Sequence, residues 1–178
     1  MRFVWTLIGT ALAAFGANAL NQCLEVEQDL RMIRTRNRPI PAGRMTRKQA
    51  TILGVALALV GPTLLLAEVG ALPAGLALLT VILYVGVYTP LKRVSSINTL
   101  VGAVCGALPP MIGWAAVTGR LDAGAWVLGF LLFIWQIPHF LALAWMYRDD
   151  YARGGFRMLP LGDTDGTRTF NLAVRSTM

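Results

Sequence analysis

Residues 3–39 read FVWTLIGTALAAFGANALNQCLEVEQDLRMIRTRNRP. An apolar run passes without a break into a ladder of oxygen-bearing side chains and then into a row of arginines. Its uncharged part, residues 3–24, is long enough for a hydrocarbon core that needs about 20 apolar residues of helix. Asn21, Glu25 and Asp29 recur every four residues, so they share one helical stripe, each step rising about 6 Å. Arg34 and Arg38 continue the step, with Arg31 and Arg36 between them. Ionisable groups at the end of a membrane helix are costly without partners, and an all-oxygen set suits a hard cation such as Mg²⁺ that keeps waters or phosphate oxygens in its shell. The stretch therefore predicts a helix that leaves the bilayer carrying a metal-bound diphosphate site. The plainer alternative, intrahelical ion pairs on a solvated helix end, accounts for Glu27 and Arg31 but not for Asn21 deeper on the same stripe.

The rest of the chain extends the first helix into a bundle. With 56% hydrophobic and 14% charged residues and a mean hydropathy of +0.59, it is far from a soluble domain. Five spans are predicted, at residues 3–24, 50–67, 72–90, 97–118 and 123–147, with a sixth beginning near Phe170. The fold class is all-α, a polytopic transmembrane helical bundle forming a single domain over residues 1–178, expected to be incomplete at both ends. The first apolar run is too long for a signal peptide and reads as a retained helix.

Charge separates the loops. Residues 25–49 carry Arg31, Arg34, Arg36, Arg38, Arg44, Arg47 and Lys48; a second loop has Lys92 and Arg93; a third has Arg148, Arg153, Arg157 and Arg168. The intervening connections hold Arg120 alone, so the positive-inside rule turns the basic loops toward the cytoplasm. The net charge of +7 sits beside membrane helices with acids interspersed, which favours phosphates or anionic headgroups over nucleic acid. Cys23 and Cys105 are too few for a disulfide framework and read as packing residues.

Gly9, Gly16, Gly102, Gly106 and Gly113 allow close helix approach. Pro109 and Pro110 predict a kink or break in the fourth helix, and Pro138 one in the fifth. A charged loop after the first helix and another after the fifth suggest a weak duplication, with a site where the halves meet.

Three further segments accompany the ladder. They are Tyr88-Thr89-Pro90-Leu91-Lys92-Arg93; Asn98-Thr99 with Gly106-Ala107-Leu108-Pro109-Pro110; and Trp135-Gln136-Ile137-Pro138-His139-Phe140 with Tyr147-Arg148-Asp149-Asp150-Tyr151. From about Asn18 to Pro160 the chain resembles the UbiA-type intramembrane prenyltransferase superfamily, and within it the haem-farnesylating branch. That branch implies about nine membrane helices, of which the first and the last two or three are missing here. It also fits a second acidic motif opening on His139, which weakens assignment to quinone prenylation.

The resemblance implies a reaction, magnesium-dependent ionisation of farnesyl diphosphate, capture of the allylic cation by a vinyl group of haem B, and addition of water to give a hydroxyethylfarnesyl side chain. It implies Mg²⁺ as cofactor, held by Asn21, Glu25 and Asp29 on one half and by Asp149 and Asp150 on the other; Asp150 has the alternative of capping a loop or pairing with Arg153. Arg34, Arg38, Lys92 and Arg93 are the diphosphate-facing candidates, while Arg36, Arg44, Arg47 and Lys48 fit lipid headgroups. Tyr88 is expected to contact diphosphate or shield the cation. His139, the only histidine, reads on its own as a packing residue; the resemblance turns it toward haem, through iron or a propionate. Trp135 and Trp145 read as interfacial anchors with the cavity as alternative. The implied partners are farnesyl diphosphate and haem B as substrates, the bilayer of a bacterial inner membrane, and haem A synthase or a terminal-oxidase assembly, with no nucleic acid. An aromatic quinone-precursor prenyltransferase and a transporter with a cationic entrance are the competing readings; the transporter has no need of an acidic ladder.

Overall fold

The computed structural model describes residues 1–176. Five helices are long and apolar enough to cross a membrane: α1 (Arg2–Leu24), α3 (Arg47–Glu68), α4 (Ala71–Leu91), α5 (Asn98–Thr118) and α6 (Ala123–Met146). Three shorter helices join them: α2 (Val26–Arg31), α7 (Arg148–Gly154) and α8 (Thr167–Arg175). No strand occurs among the described residues, and the protein is an all-α integral membrane protein. The five predicted spans are found within a few residues of their expected limits; near Phe170, where a sixth was expected to begin, lies the short polar helix α8, which is not among the spanning helices of the described residues.

The longest shift is at the start of α3, where Thr46 caps the helix in a reciprocal box with Gln49. Each side chain satisfies an amide that the first turn leaves without a partner. Outward faces are apolar: Phe15, Ile52, Leu59, Phe130 and Leu131 are more than half exposed, the arrangement expected where lipid rather than water is the solvent.

Small residues set the helix spacing where the sequence suggested it. α1 lies on α3 so closely that a methyl group on Gly16 would collide with the backbone of Ala58, and one on Gly61 with the backbone of Ala13. Such contact replaces the missing hydrophobic drive between helices in lipid with van der Waals attraction. Gly113 has no such neighbour.

The prolines act differently from expectation. α5 runs through Pro109 and Pro110, and α6 through Pro138, without a break. The irregular turn lies instead in α4, where residues Leu83–Tyr88 form a π-helical turn. Thr89 N–H donates to Tyr84 O, a bond five residues back, and Thr89 Oγ1 donates to the same carbonyl at 2.8 Å. Pro90 has no N–H to give the ordinary bond to residue 86, which removes the α-helical competitor at this point.

The loops after α1 and α6 meet at one end of the bundle. Met32 is packed among Ala144, Phe156 and Met158, and Arg157 N–H donates to Lys92 O at 2.8 Å. The expected junction between two loop-bearing halves is present.

Candidate active site

At that junction two ladders face each other. One is Asn21, Glu25 and Asp29 on α1 and α2; the other is Tyr84, Tyr88 and Lys92, also at four-residue spacing, on α4 and just beyond it. Together with Met32, Arg34, Thr35, Arg38, Tyr151 and Phe156 they line a polar cavity of about 130 Å³. Glu25 marks a small break between α1 and α2 (φ −108°, ψ 17°), yet its N–H still bonds Asn21 O, so the four-residue stripe continues through it.

Four of the five charged side chains lining this cavity are paired across it, Glu25 with Lys92 and Asp29 with Arg38. Lys92 Nζ is 2.6 Å from Glu25 Oε1 and 2.8 Å from Oε2. Only the second contact has hydrogen-bond geometry, so Oε1 is held by charge alone. Arg38 Nη1 donates to both oxygens of Asp29, at 3.0 and 2.9 Å. Asn21 Nδ2 donates to Glu25 Oε2 and to Thr89 Oγ1, both at 3.0 Å. Burial pushes the Lys92 ammonium below its ordinary pKa, and the Glu25 carboxylate partly restores it. Aromatic faces complete the enclosure: Lys92 Nζ lies 4.9 Å from the Tyr88 ring centre and 5.4 Å from that of Phe156. Arg34 lies over Tyr147 and Tyr151, contacts that also favour a cation.

Of the residues expected at the site, Asn21, Glu25, Asp29, Arg34, Arg38, Tyr88 and Lys92 share this cavity. The others lie elsewhere. Asp150 Oδ1 accepts from Ile33 N at 2.8 Å and from Arg153 Nη2 at 2.7 Å, while Oδ2 accepts from Arg34 N at 3.0 Å. Its carboxylate thus fastens the first loop to α7, the loop-capping alternative. Asp149 is largely exposed and 3.8 Å from Arg148, in a separate recess with Asp150 and Arg153. Arg93 reaches outward to Leu24 O and Gln28 Oε1. His139 is exposed and stacked on Trp135, with ring centres 5.1 Å apart and planes inclined by 13°. On α6 it is Gln136 and Phe140, one turn apart, that reach the bundle interior, and His139 lies to the side of that stripe.

Two residues went unread in the sequence. Thr89, 1% exposed, joins the ladders by accepting from Asn21 and donating to Tyr84 O. Tyr84 lines both the polar cavity and a second, mostly apolar cavity of about 210 Å³ between α1, α4, α5 and α6. The available signals were a threonine beside Pro90 and a tyrosine one turn before Tyr88.

The ladder's donors fit a hard divalent cation. Two carboxylates and a carboxamide oxygen not engaged by any described residue converge on one cavity, leaving the rest of a coordination shell to waters or phosphate oxygens. No cluster of three or more His, Cys, Asp or Glu able to hold a metal ion occurs among the described residues, so any such ion would draw most of its ligands from elsewhere.

Comparison with known proteins bears on the family of the chain. The family model described as the UbiA prenyltransferase family matches residues 1–174. A protein of Solibacter usitatus named protoheme IX farnesyltransferase is 48% identical over 93% of this chain and 56% of its own length. One of that name from Salinibacter ruber is 52% identical over 93% of this chain and 59% of its own. The human mitochondrial protein so named is 48% identical over 88% of this chain and 35% of its own. The chain thus spans about half the length of the bacterial relatives it matches. No solved structure matches it.

Proposed function

The chain belongs to the UbiA prenyltransferase family, and on that premise we propose that it carries the diphosphate-binding half of a protoheme IX farnesyltransferase, which transfers the farnesyl group of farnesyl diphosphate to a vinyl group of haem B. The observation that carries this reading is Tyr84, which joins the cavity of paired charges to the apolar one. A diphosphate seated against Arg38, Lys92 and Arg34 extends its hydrocarbon chain past Tyr84 and Tyr88 into the bundle.

The metal would be held by Glu25, Asp29 and the Asn21 carboxamide oxygen, with Mg²⁺ the ion the donor set favours; when bound, it neutralises charge on the leaving diphosphate. The chain's own residues do the rest. Arg38 and Lys92, now paired with the carboxylates, exchange those partners for phosphate oxygens and stabilise the charge that develops as the C–O bond breaks. Tyr84 and Tyr88, with ring centres 5.2 Å apart, present their faces to the allylic cation and keep water from it. Arg34 and Arg153 border the neighbouring recess together with Asp149 and Asp150 of the second acidic motif. The basic loops face the cytoplasm of a bacterial inner membrane, and the product passes within the bilayer to haem A synthase or a terminal-oxidase assembly.

Incubating the full-length protein with farnesyl diphosphate, Mg²⁺ and haem B, then identifying extracted haems by mass spectrometry, tests the reading. Hydroxyethylfarnesyl haem is expected. Unchanged haem, with farnesylation of a hydroxybenzoate acceptor instead, overturns it in favour of quinone-precursor prenylation.

A further inference from the structure

Gln136 is 8% exposed and lines the apolar cavity, yet its carboxamide makes no hydrogen bond to any described residue. It reaches that position because residue 106 has no side chain: a methyl group on Gly106 would collide with both the oxygen and the nitrogen of the amide. Other polar groups around the cavity are satisfied. Thr80 donates to Leu76 O, and Asn18 donates to Ala14 O and accepts from Tyr84. The exception besides Gln136 is Thr10, whose buried hydroxyl has no partner.

A buried polar group left unpaired costs about 1–3 kcal/mol. A farnesyl chain is hydrocarbon and leaves that cost uncompensated, which favours an oxygen-bearing group beside it when the cavity is loaded. None of the lining residues is charged, which disfavours an ionised carboxylate such as a propionate. A neutral oxygen fits, and a carboxamide, donor and acceptor at once, can both hold and orient it.

We propose that Gln136 positions the water that ends the reaction, an inference that rests on the haem-farnesylating reading above. The farnesyl C–O bond breaks with its electron pair going to diphosphate. The vinyl π pair then forms a C–C bond to farnesyl C1 and leaves the adjacent carbon cationic. The water held by Gln136 gives a lone pair to that carbon, forming the C–O bond of the hydroxyl, and the proton it loses passes to the released diphosphate. No oxidant or reductant is involved. Gln136 does not act as a base; it fixes where the oxygen stands, so that addition outruns loss of a proton from the farnesylated haem to give an alkene. Thr10, on the same cavity, is a second anchor for ordered water.

The test uses the full-length protein with farnesyl diphosphate and haem B in ¹⁸O-labelled water, comparing wild type, Gln136→Leu and Gly106→Ala by mass spectrometry of the extracted haem. Wild type is expected to give product with one ¹⁸O. Both variants are expected to shift the ratio of alkene, lighter by one water, to alcohol by about tenfold or more, the effect of losing one hydrogen bond of about 1.4 kcal/mol. Product partition separates positioning of water from a purely structural effect, which lowers both products together. Wild-type partition in Gln136→Leu overturns the inference; if that variant is inactive, wild-type partition in Gly106→Ala does so. Loss of all farnesyl transfer in both variants also overturns it, because Gln136 then serves binding or folding. Failure of the wild type to farnesylate haem sinks the underlying reading instead.

Discussion

Lys92 Nζ stands 2.6 and 2.8 Å from the two carboxylate oxygens of Glu25, and both side chains are almost fully buried. Two opposed charges this far from water stabilise the fold only as a pair, since each alone keeps its desolvation cost. Lys92→Met is therefore expected to destabilise the protein by about 3–5 kcal/mol, read from denaturant or thermal unfolding in detergent. Glu25→Gln combined with Lys92→Met is expected to recover most of that loss while leaving farnesyl transfer absent. Additive losses in the double variant would show that the two groups are not coupled.

Asp29 is 1% exposed, and its carboxylate takes both of its hydrogen bonds from one nitrogen of Arg38. Asp29→Asn keeps the shape but removes the charge that would hold a divalent cation. Diphosphate release from farnesyl diphosphate by the full-length protein is expected to fall by at least about 10²-fold, the range for removing one fixed electrostatic group. Raising the Mg²⁺ concentration is expected to recover part of it. Near-normal release by a folded Asp29→Asn protein contradicts the assignment of Asp29 to the metal.

The bundle could be read from the sequence because lipid demands long apolar helices, and the five spans have no shorter solution. The Asn21–Glu25–Asp29 stripe was legible for a related reason: four-residue spacing survives the small break at Glu25. The second half of the site was not. Asp149 and Asp150 carry the same chemistry as Glu25 and Asp29, and only tertiary contact reveals that Asp150 is consumed by the amides of Ile33 and Arg34. His139 drew attention as a lone histidine, whereas Gln136, three residues earlier, reaches the cavity. Pro109 and Pro110 suggested a broken helix, but the irregular turn is at Leu83–Tyr88, where a proline at the helix end leaves room for a longer-range bond.

Asp150 ties pH to stability. Burial alone would raise its pKa, but Arg153 and the amides of Arg34 and Ile33 hold it below the ordinary 3.8. The folded state therefore binds a proton less readily than the unfolded one, and the contribution to stability is complete above about pH 4 and lost as pH falls through the depressed folded value. Because Arg153 is about half exposed, water screens its share and the backbone amides carry most of the effect. Unfolding midpoints of Asp150→Asn are expected to be lower than wild type near neutrality and to converge on it below roughly pH 3. A constant gap between the two proteins across this range contradicts the fastener role.

Thr89 is where the helix irregularity and the site become one structure. Its hydroxyl donates to Tyr84 O at 2.8 Å, adding to the π-turn bond made by its own N–H, and accepts from Asn21 Nδ2 at 3.0 Å. Thr89→Val preserves the shape and removes both hydroxyl bonds, leaving the buried Asn21 amide with Glu25 as its remaining acceptor. A loss of about 1–3 kcal/mol is expected, with a fall in turnover because Asn21 and Tyr84 both lose their tether. Thr89→Ser keeps the oxygen and is expected to recover the turnover, though not all of the packing. Comparing the two variants separates the hydroxyl from the methyl group. If Thr89→Val matches wild type in both unfolding and turnover, the π turn needs no side-chain support and Thr89 does not link the ladders.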